Sequence, residues 1–287
     1  MMRKLLGAHL SVAGGLENAL HTARRFDCGC LQIFVKNQRQ WRATPLTADQ
    51  VERFRAAHEQ IKSAPLIAHA CYLINLASPD ETIRQRSVAA LAEEADRCDA
   101  LGVSFLVVHA GAAKGALLKE ALRRVARSVT EVEQLRTGRT TMLLLEATAG
   151  QGSAVGHRLE HLTAIREAVD APDRLGFCLD TCHLFAAGYD FRTSKSYASL
   201  MDEIDHVIGL SSVKCIHVND SKRELGSRVD RHEHIGKGKI GKPGFAHFLN
   251  DPCWTGTPLI LETPKGTDGR GADFDRINLK RLRSLSR

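Results

Sequence analysis

Residues 142–146 read Met-Leu-Leu-Leu-Glu, and this short stretch contains the pattern that decides the fold. Its apolar side chains follow one another without a break and lead directly to a carboxylate. Unbroken apolarity over so few residues is typical of a parallel strand covered on both faces, because a strand with one exposed face alternates. Similar runs occur at Leu5–His9, Leu31–Val35, Leu66–His69, Phe105–His109, Phe177–Asp180, Cys215–Val218 and Leu259–Glu262.

Amphipathic stretches lie between these runs. After the run at 105–109, apolar residues recur at helical spacing and form one stripe; they are Leu118, Leu122, Val125, Val129 and Val132. Apolar residues recur at the same helical spacing over residues 83–101, which predicts a long helix there. Eight strands, most of them followed by a helix, predict an α/β protein built as a single (β/α)8 TIM barrel over residues 1–287. An open doubly wound sheet is the alternative.

Composition narrows the class of protein without fixing its function. The chain has 287 residues, 43% hydrophobic and 25% charged, which suits a globular protein with a sizeable core. Its net charge of +7 favours an anionic partner.

The eight cysteines have neither disulfide nor zinc-ribbon spacing and are expected to be reduced core residues. No apolar run approaches the roughly 20 residues of a membrane span, and His9 interrupts the apolar stretch that a signal peptide would need. We therefore expect a cytoplasmic protein without a membrane partner.

Histidines and carboxylates stand at or next to the ends of the predicted strands. An ionisable group at the end of a buried strand is costly unless another group satisfies it. In a parallel barrel these ends converge on one face, where active sites of this architecture lie. Metal ions are the simplest partners for so many groups at once. The strand-end residues are His69, His109, Glu146, Asp180, His217 and Glu262.

Three further residues of ligand type follow in the predicted loops. His183 comes three residues after Asp180, and Asp230 and His232 are separated by one residue. Nitrogen and oxygen donors without a cysteine are compatible with zinc or manganese at a catalytic site. Taken alone, each residue is better explained by an ordinary structural role, and Asp180 by a helix N-cap. A histidine or carboxylate stands at or next to the end of six predicted strands. Ordinary structural roles would need six independent causes, so the pattern as a whole favours a metal cluster. His9 ends the first strand and is expected to support that cluster.

Two loops carry residue types used in nucleic-acid recognition. Residues 36–42, Lys-Asn-Gln-Arg-Gln-Trp-Arg, interleave cations for phosphates, amides for base edges and an aromatic ring for stacking. Residues 72–75, Tyr-Leu-Ile-Asn, are either a wedge that enters a duplex or a loop packed onto the barrel rim. By composition alone, residues 36–42 are better explained as an ordinary basic loop packed on the barrel rim. Beside a metal cluster, the DNA-binding interpretation gains support.

Several segments, taken together, resemble the endonuclease IV family of abasic-site nucleases. The match runs in order from about Gly7 to Glu262, nearly the whole chain, and so many segments in register make it highly specific. The segments are Lys36–Trp41, Tyr72–Leu76, Glu146–Gly152, Asp180–His183 and Gly226–His232.

The resemblance implies a site with three zinc ions, with manganese as an alternative at one of them. Glu146 bridges two of the ions, and Glu146 and Glu262 are implied to be catalytic. The implied ligands are His69, His109 and Glu146 for the first ion; Glu146, Asp180, His217 and Glu262 for the second; and His183, Asp230 and His232 for the third. The positions that match DNA-contacting positions of the family are Arg39, Gln40, Tyr72 and Leu73.

The implied reaction is hydrolysis of the phosphodiester on the 5′ side of an abasic nucleotide in double-stranded DNA, which leaves a 3′-hydroxyl and a 5′-deoxyribose phosphate. Removal of 3′-blocking groups and a monomeric state are implied as well. The chain departs from the family at Ala147, where asparagine is frequent, and at Cys71, where a small hydroxyl residue is common. Residues 264–271 carry no family pattern. Since none of these is an implied ligand, the departures concern rate and substrate detail rather than the class of activity.

A sugar isomerase or epimerase is the main competing hypothesis. Such enzymes share the barrel and place carboxylates and histidines at strand ends around one or two metals. They need neither a third group of ligands nor a loop like residues 36–42. A barrel that binds damaged DNA without cutting it is a weaker hypothesis, because it leaves the ligand set unexplained. Loss of activity on metal chelation would separate that protein from a nuclease.

Overall fold

A closed barrel of eight parallel strands forms the centre of the molecule. The computed structural model describes residues 4–61 and 65–286. Its strands are β1 (Leu6–His9), β2 (Cys30–Ile33), β3 (Leu66–His69), β4 (Phe105–His109), β5 (Met142–Glu146), β6 (Leu175–Asp180), β7 (Val213–His217), β8 (Asp220–Ser221), β9 (His232–Glu233) and β10 (Leu259–Leu261). Neighbouring strands follow the order β1-β10-β7-β6-β5-β4-β3-β2, and β2 pairs with β1 to close the barrel. The prediction of a (β/α)8 barrel is confirmed.

Helices connect the strands and cover the outside of the barrel. They are α1 (Glu17–Arg25), α2 (Ala48–Glu59), α3 (Glu81–Leu101), α4 (Leu118–Leu135), α5 (Leu159–Glu167), α6 (Thr181–Ala187), α7 (Ser194–Val207), α8 (Gly241–Asn250) and α9 (Phe274–Leu285). Short 3-10 turns lie at Pro172–Arg174, Leu210–Ser212 and Pro252–Trp254. Beyond β7, β8 and β9 form a small antiparallel pair outside the barrel, which the sequence pattern did not predict.

The strand register sets candidate ligands side by side. His109 on β4 is the partner of Glu146 on β5, and Asp180 on β6 is the partner of His217 on β7. Neighbouring strands lie about 4.8 Å apart, so partners in register bring their side chains to the same level of the barrel. The predicted convergence of the strand ends therefore follows from backbone hydrogen bonding alone.

The strands pack apolar side chains on both sides of the barrel wall, as their unbroken apolarity predicts. A small cluster fills the interior, and a larger one lies between the strands and the helices. The interior residues are Cys30, Ile67, Val107, Leu144, Cys178, Cys215 and Ile260. Gly7 allows β1 to approach β2, because a Cβ there would lie 1.9 Å from the carbonyl oxygen of Cys30. All eight cysteines are free; Cys253 is exposed, so the expectation of a core position is wrong for that residue.

The strand bounds differ slightly from the apolar runs. β2 ends at Ile33, although the run continues to Val35, which leaves the sheet yet stays buried. β7 begins two residues before Cys215. Among residues 4–61 and 65–286, none of the helices has the length and apolarity required to cross a bilayer. Residues 1–3, which belong to the N-terminal stretch considered for a signal peptide, lie outside the described residues.

Candidate metal centre

The nine residues predicted as ligands lie together at the C-terminal ends of the barrel strands. Within each of three groups, one ligand atom from each residue lies within 4.8 Å of those of the others. The first ligand group is His69, His109 and Glu146; the second is Glu146, Asp180, His217 and Glu262; the third is His183, Asp230 and His232. Since Glu146 belongs to the first two groups, they form one continuous cluster.

Glu146 lies at the centre of the cluster and is fully buried. Its Oε2 atom lies 3.2 Å from His69 Nε2 and 3.0 Å from His109 Nε2. Its Oε1 atom lies 3.1 Å from His183 Nδ1 and 3.1 Å from His217 Nδ1. One carboxylate therefore contacts four imidazoles, two on each oxygen. Each oxygen faces a different part of the cluster, as a carboxylate that bridges two cations must.

Asp180, His217 and Glu262 complete the second ligand group. His217 Nδ1 lies 3.1 Å from Glu262 Oε2 and 3.8 Å from Asp180 Oδ2. Asp180 is also the N-cap of α6, since its Oδ1 accepts a hydrogen bond of 3.0 Å from the backbone N–H of His183. Because its two oxygens face different ways, the capping role and the ligand position occupy different atoms of one carboxylate.

The third ligand group comes from elements outside the barrel sheet. His183 lies in the first turn of α6, so its predicted placement in a loop is wrong. Its Nε2 atom lies 3.1 Å from Asp230 Oδ2, and His232 Nε2 lies 3.3 Å from Asp230 Oδ1. His232 begins β9, whose pairing with β8 turns the chain back over the barrel end. Asp180 Oδ2 lies 3.7 Å from His232 Nε2, so the third group adjoins the second.

The ring orientation of the histidines is that of metal ligands. Three of them direct Nδ1 at a backbone carbonyl, which can only accept, so Nδ1 carries a proton and Nε2 is the ring atom that faces the cluster. These pairs are His69 with Ala70 (2.7 Å), His183 with Ala147 (2.9 Å) and His232 with Glu262 (3.0 Å). Over the described residues, Nε2 of His183 and of His232 is buried and forms no hydrogen bond, although each lies within 3.3 Å of a carboxylate oxygen of Asp230. Histidine ligands in proteins are oriented in this way, and the mixed donor set suits zinc, so the residues present fit metal ions.

Opposite charges perturb ionisation within the cluster. Burial raises the pKa of Glu146, but the charges of His217 and His109 outweigh burial and hold that pKa well below its ordinary value. Burial lowers the pKa of His183, but Asp180 and other nearby carboxylates raise it well above its ordinary value. Glu146 therefore stays ionised at neutral pH, and its negative charge is available to cations.

Two buried amides that the sequence did not single out hold the ligands in place. Gln32 Nε2 donates to Glu262 Oε1 at 2.6 Å, and its Oε1 accepts from His217 Nε2 at 2.8 Å. Asn219 Nδ2 donates to Asp180 Oδ2 at 2.6 Å, and its Oδ1 accepts from the N–H of Glu262 at 2.7 Å. Both side chains are fully buried. A glutamine inside the otherwise apolar second run was the indication available in the sequence.

The supporting and divergent positions also lie beside the ligands. His9 Nδ1 lies 3.1 Å from Glu262 Oε1, as expected for a supporting residue. The carbonyl of Ala147 faces His183, so this position acts through its backbone rather than its side chain. In the 264–271 segment, Lys265 Nζ donates to the carbonyl of His9 at 2.7 Å and so fastens that loop over β1.

Of the predicted DNA-contacting residues, Tyr72 and Leu73 lie beside the first ligand group, and Arg39 lines a separate hollow with His9. Arg39 and Gln40 are exposed, and Leu73 is half-buried. Tyr72 is 68% exposed, with its ring centroid 5.9 Å from that of His69. A groove of about 700 Å³ starts at the first and third ligand groups and reaches the loops; its lining includes His109, Asp230, Tyr72, Leu73 and Trp41.

Known proteins share the sequence and the fold of this chain. The AP endonuclease 2 family, described as a xylose isomerase-like TIM barrel, matches residues 20–282. A "Probable endonuclease 4" of Chloroflexus aggregans is 46% identical over 281 residues, which cover 98% of this chain and 97% of the relative. The crystal structure of endonuclease IV from Thermus thermophilus has a TM-score of 0.86 at 36% identity and covers 99% of this chain and 98% of its own. A D-tagatose 3-epimerase-like protein has a TM-score of 0.73 at 17% identity, covering 99% of this chain and 97% of its own, and shares the fold alone.

Proposed function

The chain belongs to the endonuclease IV family, and from this premise we propose that it is a DNA-repair AP endonuclease that hydrolyses the phosphodiester 5′ to an abasic site in double-stranded DNA. The products are a 3′-hydroxyl and a 5′-deoxyribose phosphate. Removal of 3′-blocking groups is the same hydrolysis at the 3′ end of a nicked strand. One chain suffices, because all nine candidate ligands come from it. We therefore propose that one barrel over residues 1–287 acts as a monomer.

The three ligand groups are proposed to hold three zinc ions, with manganese as an alternative at one position. Each group offers three or four nitrogen and oxygen donors and no thiolate, which is a set typical of catalytic rather than structural zinc. When bound, such ions polarise a phosphodiester, neutralise its charge and activate water at neutral pH. Support for this occupancy is the orientation of the His183 and His232 rings, whose buried Nε2 atoms face Asp230 within 3.3 Å without forming a hydrogen bond.

Glu146 and Glu262 are proposed to be the catalytic carboxylates. Glu146 is fully enclosed, so its fixed negative charge holds the first and second ligand groups at one spacing. Glu262 lies at the edge, with its side chain 15% exposed, and Gln32 holds its Oε1 so that Oε2 stays beside His217. The more open ligands, His109 and Asp230, have side chains 34% and 39% exposed. A phosphodiester is therefore expected to approach from this open side.

Arg39, Gln40, Tyr72 and Leu73 are proposed to contact the DNA. Tyr72 projects from the rim directly beside His69, where an aromatic ring can occupy the space of an extruded nucleotide. Leu73 lies next to it as an apolar wedge, and Arg39 and Gln40 face solvent on the neighbouring loop. Their task is to bend the duplex and to bring the damaged backbone to the ligand groups.

The observation that carries the proposal is the third ligand group of His183, Asp230 and His232, placed against the other two. A sugar epimerase on this barrel needs one or two metals and leaves this group without a task. The match over nearly the full length to proteins called endonuclease 4 points the same way. The shared fold of the epimerase-like protein does not discriminate, since its sequence identity is low.

Incision of a defined duplex tests the proposal. The zinc-reconstituted protein is incubated with a duplex that carries one tetrahydrofuran abasic-site analogue and with an undamaged duplex of the same sequence. We expect a single cut 5′ to the analogue, a product that a DNA polymerase extends, loss of cutting on prolonged chelation and recovery with zinc. If folded, metal-loaded protein leaves the damaged duplex intact, the proposal is wrong, and epimerisation of a ketohexose becomes the activity to assay.

A further inference from the structure

A buried ion pair lies beneath the two loops that carry the proposed DNA contacts. Lys36 opens the 36–42 loop, and Glu94 lies on α3. Lys36 Nζ is 3.3 Å from Glu94 Oε1, and each side chain is only 1% exposed. Taking two charges out of water is costly and is recovered only where both partners are well satisfied. A pair buried this deeply is therefore expected to hold other parts of the structure in place.

Each member of the pair also holds one of the loops. Lys36 Nζ donates to the carbonyl of Trp41 at 2.9 Å and so closes the 36–42 loop across its base. The Glu94 carboxylate accepts from the backbone N–H of Cys71, with its oxygens at 3.1 and 3.3 Å. Because Cys71 directly precedes Tyr72, this hydrogen bond anchors the start of the loop segment proposed to enter the duplex. The two loops are joined to each other through one ion pair.

Other side chains of α3 strengthen the same arrangement. They bind the backbone on either side of the 36–42 loop and near the end of the 70–76 loop, and one stacks on the indole ring. The contacts are Arg97 with the carbonyls of Val35 (2.9 Å) and Thr44 (2.8 Å), Glu93 with the N–H of Ala43 (3.1 Å), Ser87 with the N–H of Asn75 (2.9 Å), and Arg86 over the Trp41 ring (4.6 Å). One helix therefore fixes both loops.

We propose that Glu94 is a positioning residue: its pair with Lys36 sets the distance and orientation between the loop of Arg39 and Gln40 and the loop of Tyr72 and Leu73. This inference rests on the proposed function for its effect on DNA. Glu94 contacts no candidate ligand among the hydrogen bonds and ion pairs of the described residues. Its removal is therefore expected to weaken capture of the damaged duplex while hydrolysis at the ligand groups persists.

Glu94→Gln isolates the charge, because glutamine keeps the volume and an oxygen for the N–H of Cys71. The buried Lys36 then lacks a counter-charge and turns toward solvent, which releases the carbonyl of Trp41. We expect KM for the abasic duplex to rise by about tenfold or more while kcat changes by less than about threefold. The rate on bis(p-nitrophenyl) phosphate, which is too small to reach the loops, should stay within about twofold. Glu120→Gln is the matched control, since that side chain lies on α4 and is 55% exposed.

A double-mutant cycle with Lys36→Met tests whether the two residues act as one unit. Methionine keeps the apolar stem without the charge, so the double variant buries no unpaired ion and remains testable if Glu94→Gln fails to fold. We expect the KM of the double variant to be no higher than that of the worse single variant. An unchanged KM in Glu94→Gln, multiplicative effects in the cycle, or an equal loss with the small diester would each overturn the proposal.

Hydrogen–deuterium exchange of the free, metal-loaded protein separates this inference from the proposed function. In Glu94→Gln we expect peptides over residues 36–42 and 70–76 to exchange faster together, with those of α7 unchanged. Faster exchange in both loops of the variant would support the positioning role of Glu94. If the wild-type protein never cuts abasic DNA, that role would stand and the proposed nuclease activity would be rejected. If the wild type cuts abasic DNA but exchange in the variant is unchanged, only the positioning role of Glu94 would be rejected.

Discussion

Gln32 accepts a hydrogen bond of 2.8 Å from His217 Nε2, and the two residues lie on strands that are not neighbours in the barrel. Because an amide oxygen cannot donate, the contact places the proton of His217 on Nε2 and leaves Nδ1 for the second ligand group. The same amide donates to Glu262 Oε1 through its nitrogen. One side chain from the barrel interior thus sets the tautomer of one candidate ligand and the orientation of another.

Gln32→Met is expected to weaken metal binding without removing a ligand. Methionine fills similar space but supplies no fixed partner for His217 or Glu262, and loss of such a partner typically costs about 10- to 100-fold in metal affinity. Zinc affinity measured by competition with a chromophoric chelator should fall by that order. Gln134→Met on the exposed face of α4 is the control. Equal affinities in the two variants would show that Gln32 has no orienting role.

Glu146→Gln is expected to fold and to lose incision by several orders of magnitude. Its oxygens contact four imidazoles, and an amide has neither the charge nor the second acceptor that a bridging position requires. Single-turnover incision of the abasic duplex measures the loss, and metal content by mass spectrometry shows whether ions are released. Glu160→Gln, on the surface of α5, should cut like the wild type. A near-normal rate in Glu146→Gln would remove the bridging role.

Asp220→Asn is expected to loosen the loop behind the third ligand group. The fully buried Asp220 carboxylate accepts backbone hydrogen bonds from Ser221, Gly236, Gly238 and Ile240, between 2.8 and 3.0 Å. Asparagine has one oxygen for these four donors, so the free energy of unfolding should fall by about 2 kcal/mol or more. Because β8 pairs with β9, where His232 lies, bound zinc should also fall by up to one ion per chain. Urea unfolding and metal analysis, with exposed Asp202→Asn as the control, measure both effects.

The barrel and the six candidate ligands at strand ends were predictable because both follow from strand patterns. Unbroken apolar runs define buried parallel strands, and a polar residue such as Glu146 at the end of one is visible without a structure. Gln32 and Asn219 were not singled out, since a lone amide near a strand gives no sign of what it faces. His183 was placed in a loop because Asp180 ends a strand and caps a helix at once, which leaves no intervening residues to mark the boundary. The pairing of Lys36 with Glu94 joins residues 58 positions apart, and no local pattern encodes it.

Asp99→Asn is expected to destabilise the protein at neutral pH and to have less effect in acid. Burial raises the pKa of Asp99, but hydrogen bonds from Thr140, Thr141 and Arg136 outweigh burial and lower it. A lowered folded-state pKa contributes stability above the unfolded value of about 3.9, and that contribution disappears as pH falls through the folded pKa. The free energy of unfolding at pH 7 should drop by about 1–3 kcal/mol. Urea titrations from pH 7 to pH 3 should show the wild type and variant converging, and a stability difference that stays constant with pH would show that the Asp99 carboxylate is not its cause.

Tyr72→Ala is expected to impair recognition of the lesion and to spare the fold. The ring is 68% exposed, so its loss removes little buried surface, yet it projects beside His69 at the open side of the cluster. Stacking on an exposed aromatic ring is worth about 1–3 kcal/mol per base, so affinity for the abasic duplex should fall by about 5- to 150-fold. Fluorescence anisotropy with metal-loaded protein and an uncleavable phosphorothioate duplex measures this change. Leu117→Ala removes an apolar side chain that is 71% exposed on the connection into α4 and should bind like the wild type. If both variants bind the damaged duplex equally well, Tyr72 does not contact the lesion.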